Sequence, residues 1–104
     1  LEPGVESAAR ALEMARRVAS YVPENIGAQS KLGFALYRHG DYAEARAALR
    51  RALDLDLEAK DWDAAPFVHL FLAMSEWQVG HRDKARAHYE RGLVLAEVGI
   101  PDSP

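Results

Sequence analysis

The chain has 104 residues, 13 basic and 16 acidic side chains, a net charge of -3 and a pI near 5.8. That balance runs against a nucleic-acid binder, which would carry a basic excess, and no apolar run approaches the roughly 20 residues of a membrane span. Apolar residues make up 49%, enough for the core of one small domain, and the absence of cysteine excludes disulfides and thiolate chemistry and fits a cytoplasmic protein.

Alanine is abundant and β-branched residues are sparse, which favours helix. No secretory signal is visible, and a chain that opens on Leu1 rather than Met reads as a piece of a longer or processed protein. After Glu2-Pro3-Gly4, residues Val5, Ala8, Leu12, Ala15, Ala19 and Val22 recur at three- and four-residue steps, the stripe of a first helix. Pro23 stops it, and Glu24-Asn25 opens a second helix from Ile26 to His39. Gly40 ends that helix as a left-handed C-cap. Asp41 is expected to cap the third, with Glu44 three residues on in a near capping box. This helix runs through Tyr42, Ala45, Leu49, Ala52 and Leu53 to about Leu55. Residues 58–65 read as a loop. Pro66 suits the first turn of a fourth helix, where its missing N–H is harmless. That helix carries Leu70, Phe71, Leu72, Met74 and Trp77 and stops at Gly80. The fifth, Arg82 to Glu97, carries Ala85, Tyr89, Leu93 and Leu95. Gly99-Ile100-Pro101 ends it, and 100–104 is an expected frayed tail. Five helices with short turns predict an all-α stack of antiparallel hairpins.

The chain also repeats itself. Sliding Leu32–Leu55 forward by forty residues places it on Leu72–Leu95 with eight identities: Leu32/Leu72, Gly40/Gly80, Ala45/Ala85, Arg46/Arg86, Ala47/Ala87, Arg51/Arg91, Leu53/Leu93 and Leu55/Leu95. Phe34/Met74 and Tyr37/Trp77 keep their character. Such a period signals stacked supersecondary units, which present surfaces more often than active sites.

The run L-G-F-A-L-Y-R-H-G-D-Y-A-E-A-R-A-A-L-R-R-A-L, Leu32 to Leu53, closely resembles a tetratricopeptide repeat. Its small residues at Gly33, Ala45 and Ala52 allow close helix approach, and Leu32, Leu36, Tyr42 and Leu49 fill the complementary holes. The second copy departs from the motif. Glu76 stands where an aromatic is usual, His81 replaces the capping Asp, Arg82 the turn tyrosine and Gly92 the last alanine. The resemblance implies one domain over 1–104, a right-handed superhelix of about two and a half repeats. Residues 1–23 form a half repeat or N-terminal capping helix, 26–57 and 66–99 the two repeats, with an inter-repeat loop at 58–65. The run F-L-A-M-x-x-W-x-x-G-H-x-D-x-A-R, from Phe71, also resembles such segments in large bacterial signalling proteins, including serine/threonine kinases.

The resemblance further implies a concave groove for a peptide, built from the first helix of each repeat. Its variable positions fall on Gly27, Ser30, Lys31, Phe34, Tyr37 and Arg38, and on Phe67, Leu70, Phe71, Met74, Trp77 and Gln78. Trp, Tyr, Phe and Met are the types enriched at interface cores, and Lys31 and Arg38 would steer an acidic flank. The same helical spacing also suits core packing, above all for Phe34 and Phe71. The clamp by which chaperone-binding members grip a C-terminal carboxylate is missing, since Ser30, Phe34 and Phe71 occupy its Lys and Asn positions.

Candidate chemistry is thin. Of four histidines, His39 and His81 fall at turns and His69 and His88 within helices, with no i,i+4 pair and no H-E-x-x-H to hold a metal. Asp54, Asp56 and Glu58 mimic the start of a calcium loop, but Ala59 and Ala65 stand where it needs Gly and Glu. No nucleophile elbow or phosphate loop occurs. Arg46, Arg50, Arg51, Arg86 and Arg91, interleaved with acids, read as a solvated, ion-paired face. No cofactor is implied. The expected function is non-enzymatic binding of a protein or peptide. At the open end of the array Leu93, Leu95 and Val98 would lie uncovered, so either the parent chain continues or another copy covers that face, and homodimerisation through it is the alternative.

Overall fold

A computed structural model describes residues 3–59 and 65–98. They form five helices: α1 (Pro3–Tyr21), α2 (Ile26–His39), α3 (Tyr42–Ala59), α4 (Ala65–Gln78) and α5 (Arg82–Val98). This is the all-α stack of antiparallel hairpins that the periodicity predicts.

Local chemistry sets the helix ends. Asn25, extended at φ -89 and ψ 121, accepts the Ala28 N–H on its side-chain oxygen at 2.9 Å and caps α2. Gly40 turns the chain at φ 92, its N–H reaching the Tyr37 carbonyl and the Asp41 N–H that of Leu36. Forty residues on, Gly80 repeats the device at φ 90, with its N–H on Trp77 and the His81 N–H on Glu76. The second turn therefore closes like the first although His81 replaces Asp41. The Asp41 carboxylate, expected to cap α3, faces the His39 ring at 3.0 Å, while its backbone carbonyl accepts from Ala45. One boundary differs from expectation. Helix α3 continues past Leu55 to Ala59 and α4 begins at Ala65, so both ends of the expected 58–65 loop are helical. No stop residue interrupts Asp56-Leu57-Glu58-Ala59, which explains the extension. Residues 60–64 and the tail 99–104 lie outside the described residues.

Packing follows chain order, α1 on α2, α2 on α3, α3 on α4 and α4 on α5, with one additional approach of α2 to α4. Among the described residues no Cα pair joins α1 to α3 or α3 to α5 within 8 Å. The stack therefore bends toward the side formed by α2 and α4, which is its concave face. Two clusters fill the interior. Leu12, Ala35, Leu36, Ala45 and Ala48 bind α1, α2 and α3 together, and Leu49, Val68 and Leu72 join α3 to α4. Gly33 is the closest approach, since a Cβ there would stand 2.5 Å from Cγ and Cδ2 of Leu49. Gly92 does similar work in the second repeat, where a Cβ would lie 3.0 Å from Leu70 and 3.2 Å from the Pro66 carbonyl. The departure from alanine at Gly92 thus tightens the α4–α5 pair.

Candidate functional site: the concave face and its clefts

Of the twelve groove positions, the nine whose side chains are expected to bind a partner, Lys31, Phe34, Tyr37, Arg38, Phe67, Leu70, Phe71, Met74 and Trp77, divide among several settings. Phe34 and Phe71 are half-buried and pack on each other with their rings tilted at 46° and centroids 4.5 Å apart, with the Tyr37 ring edge-on to Phe71 at 5.7 Å. Both phenylalanines pack against the Leu49–Val68–Leu72 cluster, so their rings join α2 to α4. Leu70 lies over Gly92 within the α4–α5 pair. Ser30, a neighbouring groove position, is buried with its hydroxyl donating to the Ile26 carbonyl at 2.7 Å.

The remaining candidates face solvent. Lys31 and Arg38 are exposed and line a cleft of about 390 Å³ between α1 and α2, together with Phe34, Met14 and Val18. Met74 and Trp77, 39% and 55% exposed, line a second cleft of about 400 Å³ at the C-terminal end of the stack. Tyr37, Gln78, Arg86 and Tyr89 complete its walls. The Arg82 guanidinium sits 4.9 Å over the Trp77 ring, a cation–π contact at the rim. Phe67 is exposed but lines neither cleft. Tyr89, Arg86, Met14 and Val18 are absent from the groove positions implied by the resemblance, because they belong to second helices. The Arg46/Arg86 identity in the repeat is the signal that could have drawn attention to Arg86.

Glu76 is the most informative departure from the motif. At 1% side-chain exposure it lies between α3 and α4, where its Oε1 pairs with Nε of Arg46 and stands 3.3 Å from Nδ1 of His81. An ion pair here replaces the aromatic that the motif favours. Of the remaining arginines in the expected ion-paired strip, Arg51 reaches Glu24 at 4.0 Å. Arg50, Arg86 and Arg91 have no ion pair among the described residues.

On the convex side a polar cleft of about 550 Å³ lies among α3, α4 and α5. His69 and His88, nineteen positions apart, meet there with their Nδ1 atoms 3.1 Å apart. No spacing rule within one helix reveals such a pair. Burial, then the neighbouring His88 and Arg91, lower the His69 pKa from 6.5 to about 4. Burial lowers His88 as well, aided by Arg50 and Lys84 and opposed by Glu76. Asp56 also lines the cleft, and burial raises its pKa. Among the described residues no group of three His, Cys, Asp or Glu side chains is arranged to hold a metal. Nor is any described helix long and apolar enough to cross a membrane.

The open end also needs a correction. Leu95, expected to lie uncovered there, is buried at 7% exposure. It falls on the inner face of α5, whereas Leu93 and Val94 point outward. The Val98 side chain lies outside the described residues.

Against known proteins, residues 24–97 match the family model described as tetratricopeptide repeat. No curated protein matches the chain. Repeats of this kind typically serve as non-catalytic protein-interaction modules. With the match spanning both helix hairpins, the shared glycine turns and the close-packed small residues, the chain belongs to the tetratricopeptide repeat family.

Proposed function

We propose that this chain is a non-enzymatic interaction module, a regulatory or scaffolding part of a larger protein. It takes a peptide or partner segment on its concave, aromatic face. The observation that carries this reading is the exposure of Met74 and Trp77 in one cleft of that face. Large apolar side chains grouped at the surface mark interaction sites. Lys31 and Arg38 add positive charge to the neighbouring cleft and favour an acidic flank on the partner. The run from Phe71 to Arg86 favours a bacterial signalling protein as the parent, and the cysteine-free sequence suits the cytoplasm. Neither nucleic acid nor membrane suits the charge balance and hydropathy.

The test is substitution of Trp77 or Tyr37 by Ala. Each is expected to release the partner from the chain while its mass and helical circular dichroism stay unchanged. Retention of the partner by both variants would sink the groove assignment. A second reading, self-association, is favoured by the outward-facing Leu93 and Val94 on α5. Light scattering over a concentration series decides it. A dimer that Leu93→Glu returns to monomer would establish this reading, and a monomer throughout would remove it.

A further inference from the structure

Two imidazoles from different helices converge on the convex side. His69 of α4 and His88 of α5 stand with their Nδ1 atoms 3.1 Å apart and their ring centroids 5.3 Å apart, the planes inclined by 31°. A nitrogen gap so much shorter than the centroid gap means that each ring turns its Nδ1 edge, not its face, toward the other. With both rings neutral, a single proton fills the gap: one Nδ1 donates and the other accepts. In the donor's other tautomer that proton sits on Nε2, and two lone pairs then face one point. Zn–N bonds of about 2.0–2.1 Å at a tetrahedral ion set two such nitrogens about 3.3 Å apart. The pair need open by only about 0.2 Å to grip an ion.

From this geometry we infer that His69 and His88 hold one imidazole-preferring divalent metal ion, Zn²⁺ in kind, across the α4–α5 hairpin, with water completing its coordination. The site lies apart from the concave face and stands independently of the interaction reading. Both rings are half-buried at the wall of a cleft of about 550 Å³, which has room for an ion and its waters. Burial, with His88 and Arg91 close by, keeps His69 neutral at pH 7, and burial acts the same way on His88, so an ion displaces no charge-bearing proton. Asp56 lines the same cleft with its Oδ1 buried and without a hydrogen-bond partner among the described residues. That oxygen can accept from a water on the ion, as carboxylates around metal sites do.

The neighbouring charges select the class of ion. Arg50, Lys84 and Arg91 line the cleft against Asp54, Asp56 and Glu76, and Glu76 is already paired with Arg46. Charge alone therefore gives Mg²⁺ or Ca²⁺ no advantage, and those ions need more oxygen ligands than the cleft can spare. Imidazole nitrogen suits Zn²⁺, Cu²⁺ and Ni²⁺ instead. Among the described residues no third His, Asp or Glu joins the pair to complete a three-ligand group. The ion is thus exchangeable, unlike one in a closed four-ligand structural centre. Bound by one ring from each helix, it ties α5 to α4.

Calorimetric titration of the full, tag-free chain with ZnCl₂ at pH 7.5 tests this. One ion should bind per chain, and His69→Gln and His88→Gln should each weaken binding by about tenfold or more. His39→Gln, at the exposed first turn, should leave it unchanged. Circular dichroism of each variant separates a lost ligand from a lost fold. Zn²⁺ should also raise the urea midpoint of the parent chain and not that of the His69→Gln chain. Binding that survives either His69→Gln or His88→Gln overturns the inference, and so does the absence of stoichiometric binding, which leaves the pair a hydrogen bond. Equal binding of MgCl₂ would assign the ion to the acids and overturn it. Inorganic phosphate held in the cleft through Arg50 and Arg91, with no Zn²⁺ bound, would give the cleft to an anion. A mass that doubles on adding Zn²⁺ would place the ion between two copies, and either result overturns the inference.

Discussion

The ion pair between Arg46 and Glu76 gives the sharpest stability prediction. Glu76 is 1% exposed and Arg46 26%, so removing the arginine strands a carboxylate with almost no water. Loss of one partner from a fully buried pair costs about 3–5 kcal/mol. Two features reduce that here: Arg46 is partly solvated, and the His81 ring stays 3.3 Å from the same oxygen. Arg46→Met should then cost about 2–3 kcal/mol, a large share of the roughly 5–15 kcal/mol that holds such a domain. Glu76→Leu should cost about 1 kcal/mol, because the arginine left behind reaches solvent. The double variant should return to within about 1 kcal/mol of the parent, since apolar side chains of similar volume replace buried pairs well. The coupling between the sites is therefore about 2 kcal/mol. Urea unfolding of the four proteins, followed by circular dichroism at 25 °C, measures it. Additive single effects, or a cost below about 0.5 kcal/mol for Arg46→Met, would refute the view that this pair is a desolvated, mutually dependent contact.

Other outcomes can be checked by the same unfolding assay. Gly33→Ala would place its Cβ 2.5 Å from Leu49 and should destabilise by about 2 kcal/mol through overpacking. Gly40→Ala meets no neighbour within 4 Å, so its cost of about 1 kcal/mol would come from the left-handed backbone alone, and Gly40→Asn should recover part of it. Asn25→Ala removes the α2 cap and should cost about 1 kcal/mol. The His69 pKa falls from 6.5 to about 4 on folding, so the unfolded chain takes up the proton first. This contribution to stability is complete above pH 6.5 and is lost as pH falls toward 4, with His88 acting in the same direction. The full shift corresponds to about 3 kcal/mol, and partial solvation of the ring brings that to about 1–2 kcal/mol. Urea midpoints between pH 7.5 and 5 should fall accordingly, and less so in His69→Phe.

The hairpin stack was legible wherever local chemistry marks an end. Asn25 and Gly40 bracket α2 with a cap and a left-handed turn, and both ends fall where those residues put them. The end of α3 was not legible, because alternating acids and leucines from Asp54 to Glu58 resemble a loop yet contain nothing that breaks a helix. The aromatic character of the concave face could be read from Tyr37 and Trp77. Its division into clefts could not, because it depends on Phe34 meeting Phe71 across two helices. Contacts between distant positions escaped for the same reason. Glu76 finds Arg46 and His69 finds His88 through helix packing, and spacing within one helix predicts neither.

Among the described residues, helices that approach one another are almost all neighbours in sequence, the approach of α2 to α4 being the one addition. Folding therefore closes no long loop, and it should be fast. It also means that opening can start at either end without disturbing the middle, as in other one-dimensional arrays. Among the described residues α5 comes within 8 Å, Cα to Cα, of α4 alone, so its amide protons should exchange with solvent ahead of those in α3, which is gripped on both sides. A ligand settling against Tyr89 and Arg86 would touch this terminal helix, which is held from one side. Its arrival would be recorded as slowed exchange in α5, and stiffness would travel inward from the edge of the array.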